Sequence, residues 1–250
     1  MDASDDSTQA SRGYAVLIPA RYASKRLPGK VLLAESGKYL IQHVYERALE
    51  AEGASTVLVL TDDDRVERAV ASFGGAVRRT RAEHTSGTDR CAEAAAQLSE
   101  AVIVNVQGDE PLFAPRDLEA LAQAVAVEGA DIATLGWPFA DAAHLADPHA
   151  VKAVVGPDGW ALDFCRDAET AARRARSGAG TILHHVGIYA FRRDRLLAFP
   201  QLAATAREQE ERLEQLRALE SGWRIKVLPA SAAAFGIDTR ADYDAFLGGL

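Results

Sequence analysis

Tyr14-Ala15-Val16-Leu17-Ile18-Pro19 leads directly into Ala20-Arg21-Tyr22-Ala23-Ser24-Lys25-Arg26-Leu27-Pro28-Gly29-Lys30. The first segment is apolar throughout, with no alternation of polar positions. A strand buried on both faces reads this way, and such strands belong to parallel sheets covered by helices. Proline closes the run because it removes a ladder donor, and a basic loop follows. The same succession recurs downstream. Residues 39–52 carry Leu40, Ile41, Val44, Tyr45 and Ala48 at helical spacing. Residues 56–60 are a second buried strand, closed by Thr61-Asp62-Asp63-Asp64, an acidic turn suited to capping a helix over 65–73. Gly74-Gly75 ends that helix. A short strand at 76–79, a helix at 87–98, a long apolar strand at 101–106, a helix at 115–127 and a strand at 131–135 complete the first half. This alternation predicts an α/β fold, a mainly parallel sheet with helices on both faces. In such sheets ligands bind beyond the carboxyl ends of the strands. The polar clusters fall there, after Ile18, Leu60 and Val106.

The second half is less regular. Strands at 151–155 and 160–165 flank Gly156-Pro157-Asp158-Gly159, a hairpin signal. Residues 166–180 form a charged, alanine-rich segment. A strand at 183–191, a strongly charged helix at 207–220, a strand at 224–228 and a closing helix at 241–247 follow. The hairpin region reads as a small lobe inserted in the main sheet. The expected organisation is therefore one domain over 13–250, with the lobe contributed by about 137–192. Residues 1–12, MDASDDSTQASR, are polar and acidic and are expected to be a disordered leader, not a signal peptide. No apolar run is long enough to span a bilayer.

Lys and Arg number 28 against 36 Asp and Glu, a formal net charge of −8. That balance argues against a general nucleic-acid binder, though a local group of cations can still hold an anionic ligand. Cys91 and Cys165 are the two cysteines, too few for a disulfide framework, which makes a reduced, cytoplasmic setting the default.

Three clusters carry chemistry. Arg21, Lys25, Arg26 and Lys30 put four cations into the ten residues 21–30 behind a buried strand. A triphosphate needs such cations and the free N–H groups of Gly and Pro turns. GxxxxGK[ST] is absent, so this is not a P-loop. Val104-Asn105-Val106-Gln107-Gly108-Asp109-Glu110-Pro111 delivers a carboxylate beside a glycine, a hard oxygen ligand suited to Mg²⁺ next to phosphates. Asp238, in Ile237-Asp238-Thr239, offers a second carboxylate, although Asp-Thr before a helix is also an ordinary N-cap. His184 and His185 precede an apolar run with Tyr189, and Glu208, Glu211 and Glu214 recur at three-residue spacing, usually the mark of a solvent face. No Ser/His/Asp order, CxxC pair or HExxH is present, which leaves hydrolase and zinc readings without support.

Taken together, IPARYASKRLPGK, Thr61-Asp62-Asp63, Glu83-His84-Thr85-Ser86-Gly87-Thr88-Asp89-Arg90, Asn105-Val106-Gln107-Gly108-Asp109-Glu110-Pro111, His185-Val186-Gly187-Ile188-Tyr189, Leu213-Glu214-Gln215-Leu216-Arg217 and Gly236-Ile237-Asp238-Thr239 resemble the 3-deoxy-manno-octulosonate cytidylyltransferase (CMP-Kdo synthetase) family. The resemblance runs from about Tyr14 to the end. It implies a Rossmann-like nucleotidyltransferase sheet with a small inserted dimerisation lobe, a homodimer, CTP as donor, Kdo as acceptor and Mg²⁺ as cofactor. By matching position, Arg21, Arg26 and Lys30 take the triphosphate, Ser86 and Gly87 lie near the cytosine, and Asp109 and Asp238 pair as Mg²⁺ ligands. Gln107, Arg166, His185, Tyr189, Glu214 and Gln215 match the sugar-acid pocket, Gln107 also bordering the nucleotide. Such a reaction, attack of a sugar hydroxyl on the α-phosphate with loss of pyrophosphate, needs positioning and electrostatics rather than a protein nucleophile.

The chain departs from the family's pattern on the acceptor side. After Phe164-Cys165-Arg166 it runs Asp167-Ala168-Glu169-Thr170-Ala171-Ala172 in place of a short Pro-containing stretch. Asp163 stands where an aromatic is usual, and Thr205-Ala206-Arg207-Glu208 replaces Ser-Pro-Leu-Glu. Two alternatives stay open from the residues alone: a cytidylyltransferase for a modified Kdo or another sugar acid, and a nucleotide-binding homologue without catalysis.

Overall fold

The computed structural model describes residues 13–24, 26–232 and 236–250. The leader at 1–12, Lys25 and Phe235 lie outside the described residues. The chain runs β1 (Tyr14–Pro19), α1 (Leu40–Leu49), β2 (Ala54–Thr61), α2 (Asp64–Ser72), β3 (Val77–Arg79), α3 (Gly87–Ala95), β4 (Val102–Asn105), α4 (Pro115–Ala126) and β5 (Ile132–Trp137). It continues through α5 (Ala142–Ala146), β6 (Lys152–Val155), β7 (Ala161–Cys165), α6 (Ala168–Ser177), β8 (Thr181–Arg192), α7 (Arg193–Ala198), α8 (Ala206–Glu211), α9 (Gln215–Glu220), β9 (Ile225–Pro229) and α10 (Arg240–Gly248).

The strands form one sheet in the order β3-β2-β1-β4-β8-β5-β9, with β6 beside β8 and β7 beside β6. β1 pairs in parallel with β2 and β4, β2 with β3, and β5 with β9. β8 is antiparallel to β4, β5 and β6, and β7 to β6. Seven of the nine strands therefore point one way, and β7 and β8 are reversed. Alternate residues of β1 face opposite layers. Val16 and Ile18 pack with Ile41 and Val44 of α1, Val66 and Val70 of α2, and Leu118 and Leu121 of α4. Ala15 and Leu17 pack with Cys91 and Ala94 of α3, Leu196 of α7 and Leu216 of α9.

Two local rules set the site's position. From β1 the chain winds to β2 and β3, then returns to β4 on the other side of β1. Strand order reverses at that point and opens a crevice at the carboxyl ends of β1 and β4. The helices that border it start where the sequence offers caps: Asp63 accepts from Arg65 N at 2.8 Å, and Ser86 Oγ from Asp89 N at 3.1 Å.

The hairpin forms around Gly159, whose φ of 81° needs glycine, and Gly156 N donates to Trp160 O at 2.8 Å. It extends the same sheet, since β6 pairs with the start of β8 (Lys152 opposite His184) while β4 pairs with its end (Asn105 opposite Tyr189). The charged segment at 166–180 folds as α6, started by the Asp167 cap and packing Ala171 and Ala175 against Val154 and Cys165. The single helix expected over 207–220 is two helices. Arg212 adopts φ 55° and ψ 48°, ending α8, so that Leu213 and Leu216 turn into the core layer that holds Ala15 and Leu17. The three glutamates consequently share no solvent face: Glu208 closes a capping box on Thr205 and pairs with Arg217, Glu211 holds Arg166, and Glu214 turns inward.

Candidate active site

Pro19, Arg21, Ala23, Ser24, Lys30, Val31, Gly87, Gln107, Gly108 and Asp109 line one cavity at the β1/β4 crevice. The two glycines are there for space. A Cβ on Gly108 would stand 3.0 Å from Pro19 O, and one on Gly87 would stand 3.1 Å from both Gln107 Oε1 and Pro19 Cγ. Bare backbone at both positions leaves the cavity open between the basic loop and the start of α3. Gly29, at φ 69°, turns the loop so that Lys30 points inward.

Lys30 is the centre of the charged corner. Its Nζ donates to Asp238 Oδ1 at 2.9 Å and Ile237 O at 2.9 Å, and it forms an ion pair with Asp109. Burial alone would lower its pKa, but Asp109 and Asp238 outweigh it and raise the value above the usual lysine range. Arg26 reaches Asp238 Oδ2 at 2.7 Å. Asp238 is free to do this because Thr239, not Asp238, caps α10, with Asp242 completing the capping box. Asp109 is held by its own backbone, whose carbonyl accepts from Ile237 N at 2.8 Å.

Glu110 follows Asp109 directly in the sequence, where a charge at the start of a helix is the ordinary reading. It is in fact buried, with Oε2 lacking any partner among the described residues. Its Oε1 lies 3.2 Å from where a Cβ on Gly187 would stand, so that glycine makes its room. Burial first, then the charges of Asp109 and Asp238, push its pKa up to about 8. Near neutral pH it is held as the neutral acid. Two carboxylates then face two cations, Lys30 and Arg26, and the corner is balanced without ligand. Arg21 donates to His84 O at 2.7 Å and has no carboxylate partner among the described residues.

The remaining predicted residues form a second layer and a second cleft. Tyr189 and His185 stack along β8 with ring centroids 5.4 Å apart, and Phe164 closes on His185 at 5.1 Å. Burial, aided by the charges of Glu214 and Glu110, raises the Tyr189 phenol well above its usual pKa. Its hydroxyl has no hydrogen-bond partner among the described residues. Burial, then the neighbouring His184, lowers His185 to about 3. Thr134 Oγ1 lies 3.0 Å from His185 Nε2 and 2.8 Å from Ile188 O. The hydroxyl's single proton goes to a carbonyl, so its oxygen accepts from Nε2–H and fixes a neutral imidazole. Glu214 is bonded by the Thr88 hydroxyl, and burial raises its pKa. Gln215 is buried, and its Nε2 has no partner among the described residues.

Arg166 and Arg26 stand apart from these. They line a cleft with Pro148, His149, Glu210, Glu211, Arg212 and Asp238. Asp238 joins the two regions, since it also meets Lys30. Arg90, which stands in the Glu83–Arg90 motif with no role of its own, is fully buried, donates to Thr80 and forms an ion pair with Asp62, tying α3 to the ends of β2 and β3. Thr88 likewise stands in that motif with no role of its own, because its partner Glu214 lies 126 residues further on. The acceptor-side departures prove to be one feature: Asp163, 2% exposed, pairs with Arg207 at 2.7 Å and Arg174 at 3.3 Å.

The sequence model of the cytidylyltransferase family matches residues 15–225. The 3-deoxy-manno-octulosonate cytidylyltransferase of Geobacter metallireducens is 45% identical over 238 residues, 91% of this chain and 94% of the relative. The Escherichia coli protein of the same name is 46% identical over 227 residues, 90% and 91% of the two chains. The chain belongs to the 3-deoxy-manno-octulosonate cytidylyltransferase family. A solved cytidylyltransferase of this kind, CMP:2-keto-3-deoxy-manno-octonic acid synthetase complexed with CTP, is 44% identical. It superposes with a TM-score of 0.86 over 94% of this chain and 97% of that one. As a cytidylyltransferase, this chain is a nucleotidyltransferase enzyme. Among the described residues, no helix is long and apolar enough to cross a membrane.

Proposed function

We propose that this enzyme transfers CMP from CTP to the anomeric hydroxyl of Kdo, giving CMP-Kdo and pyrophosphate, with Mg²⁺ as cofactor. The observation that carries the reading is the convergence of Lys30, Asp109 and Asp238 at the β1/β4 crevice of a chain that shares 45% identity with a named Kdo cytidylyltransferase.

Charge supports the cofactor. The corner's two cations are already matched by two carboxylates, which leaves Arg21 as the one uncommitted cation of the cavity lining among the described residues. A triphosphate brings several negative charges more than that. Asp109 and Asp238 are hard oxygen donors held close enough to share one ammonium, and they are the residues that would hold Mg²⁺. Bound there, the ion would neutralise phosphate charge and orient the phosphate oxygens.

The protein's own groups do the rest. Arg21 and Lys30 face the triphosphate and stabilise charge as it moves onto the leaving pyrophosphate. Gly87 and Ser86 start α3 beside the cavity, close to the base, where a small closed pocket would favour a pyrimidine over a purine. Gln107 stands between the two substrates. His185, Tyr189, Glu214 and Gln215 present hydrogen-bonding groups to the acceptor, and Arg166 offers a cation to its carboxylate. The acceptor hydroxyl is the nucleophile, so the site's main work is in-line positioning.

The resemblance further implies a homodimer through the small lobe and a cytoplasmic setting; light scattering of the purified protein tests the first. The activity is tested by pyrophosphate release with CTP, Mg²⁺ and Kdo, against a panel of other sugar acids and against ATP in place of CTP. Turnover with CTP and Kdo is the expected result. Equal rates with ATP, or turnover with another sugar acid but not Kdo, would overturn the donor or the acceptor assignment respectively. Tyr189→Phe is expected to raise the acceptor KM and spare that for CTP.

A further inference from the structure

Lys152 is 0% exposed, at the first position of β6, and no carboxylate forms an ion pair with it among the described residues. A buried ammonium without a counter-charge is costly unless every N–H finds an oxygen. Here each does. Nζ donates to Asp147 O at 2.5 Å, Ala150 O at 2.8 Å and Arg166 O at 2.8 Å. The Phe139 ring covers it at 5.9 Å.

The turn at 147–150 is read by two cations at once. Lys152 takes the carbonyls of its first and last residues. Arg166 NH1 takes the two between them, Pro148 O at 3.2 Å and His149 O at 3.3 Å. Four successive carbonyls are thereby committed. Arg166 Nε is held on the other side by Glu211 O at 2.7 Å, and NH2 has no hydrogen bond among the described residues, although the residue lines the cleft beside Arg26 and Asp238. Lys152 also holds the carbonyl of Arg166 itself, so the ammonium fixes the guanidinium at its root and, through the turn, at its tip.

We propose that Lys152 is a positioning residue for the acceptor, a buried ammonium that sets the Arg166 guanidinium through the four carbonyls of the 147–150 turn. The proposal rests on the assignment of Arg166 to the sugar acid made above. Neither Lys152 nor the turn lines the cavity around Lys30 and Asp109, and the turn shares with the donor side only the cleft wall at Arg26 and Asp238. A guanidinium free to swing loses the preorganisation that makes it selective for a carboxylate at one place.

The test is steady-state kinetics with CTP, Mg²⁺ and Kdo on Lys152→Met, Arg166→Ala and the double variant, with melting curves alongside. Lys152→Met keeps length and volume but donates nothing. It is expected to raise the Kdo KM by about tenfold to a hundredfold, the scale of a misplaced binding group, and to leave the CTP KM within about twofold. The double variant should be no worse in Kdo KM than Arg166→Ala alone. A purely structural lysine would instead lower the melting temperature with both KM values unchanged, and that result overturns the proposal. Multiplied losses in the double variant overturn it too. If Arg166→Ala leaves the Kdo KM unchanged, the assignment of Arg166 fails and the proposal with it. If Arg166→Ala raises that KM and Lys152→Met does not, only the role of Lys152 fails. Should Lys152→Met not fold, Pro148→Gly loosens the exposed turn while keeping the ammonium, and the same acceptor-only rise is expected.

Discussion

His185 offers a measurement that separates a buried neutral imidazole from an exposed one. The folded protein holds it at a pKa of about 3, against an ordinary 6.5 in the unfolded chain. Between those values the unfolded chain binds a proton that the folded chain refuses. Stability is therefore complete above pH 6.5 and is lost as pH falls. From pH 7 to pH 5 the unfolded chain gains nearly the whole of 1.5 pH units of proton binding at this position, about 2 kcal/mol. At roughly 2–4 °C per kcal/mol for a chain of this size, this contributes a fall of about 4–8 °C in Tm. His185→Gln isolates the effect, because an amide can still donate to the Thr134 hydroxyl but has no proton to gain. Thermal unfolding of both proteins at pH 7, 6 and 5 is the assay. The wild type should lose about 2 kcal/mol more than His185→Gln across that range, every other titrating group being common to the two. Parallel profiles would refute the reasoning, since they would mean that the folded protein accepts the proton on His185 as readily as the unfolded chain does.

Three further outcomes follow from the geometry. Arg207→Leu strips the buried Asp163 of its 2.7 Å partner and should cost about 2–3 kcal/mol in denaturant unfolding, the lower part of the buried-pair range because Arg207 is itself partly exposed, whereas Asp163→Phe combined with Arg207→Leu should return to within about 1 kcal/mol of wild type. Arg212→Gly relieves a left-handed conformation at φ 55° and should raise stability by about 0.5–1 kcal/mol, read as a higher Tm. Asp109→Asn should reduce pyrophosphate release by at least about a hundredfold while the far-ultraviolet spectrum is unchanged, and chelation by EDTA should do the same to the wild type.

Much of the architecture was legible because burial leaves a local mark. The apolar run of β1, the Asp63 and Ser86 caps and the Gly156–Gly159 hairpin each follow from residues that are neighbours in sequence. What was not legible depends on distant partners. The reversal of β8 cannot be seen in an apolar run, which reads alike in either direction. The break between α8 and α9 occurs at an arginine, where no glycine announces a left-handed residue. Glu110 reads as a surface charge until Gly187 and Gly236, far along the chain, close around it. In the candidate site, Arg21, Lys30, Gly87, Gln107 and Asp109 converge on one cavity, as loops at adjacent strand ends should. Arg26 and Arg166 face a different cleft, because Pro148 and His149 and the end of α8 form its wall. Lys152 did leave a signal, a single cation inside the apolar run Val151–Val155, whose meaning only the folded turn supplies.

The pairing of β4 with β8 has a consequence for how the chain is made. Asn105 stands opposite Tyr189, 84 residues later (189 minus 105), while β1, β2, β3 and β4 find one another within the first 105 residues. During synthesis the emerging parallel half can assemble early, yet it presents one bare backbone edge until the hairpin and all of β8 have left the ribosome. That edge is short, Val102–Asn105, and its natural cover is a strand that lies well beyond it in the chain, Thr181–Arg192. A growing chain stalled between residues 105 and 189 is thus the form of this protein most prone to pair with a neighbour instead of with itself.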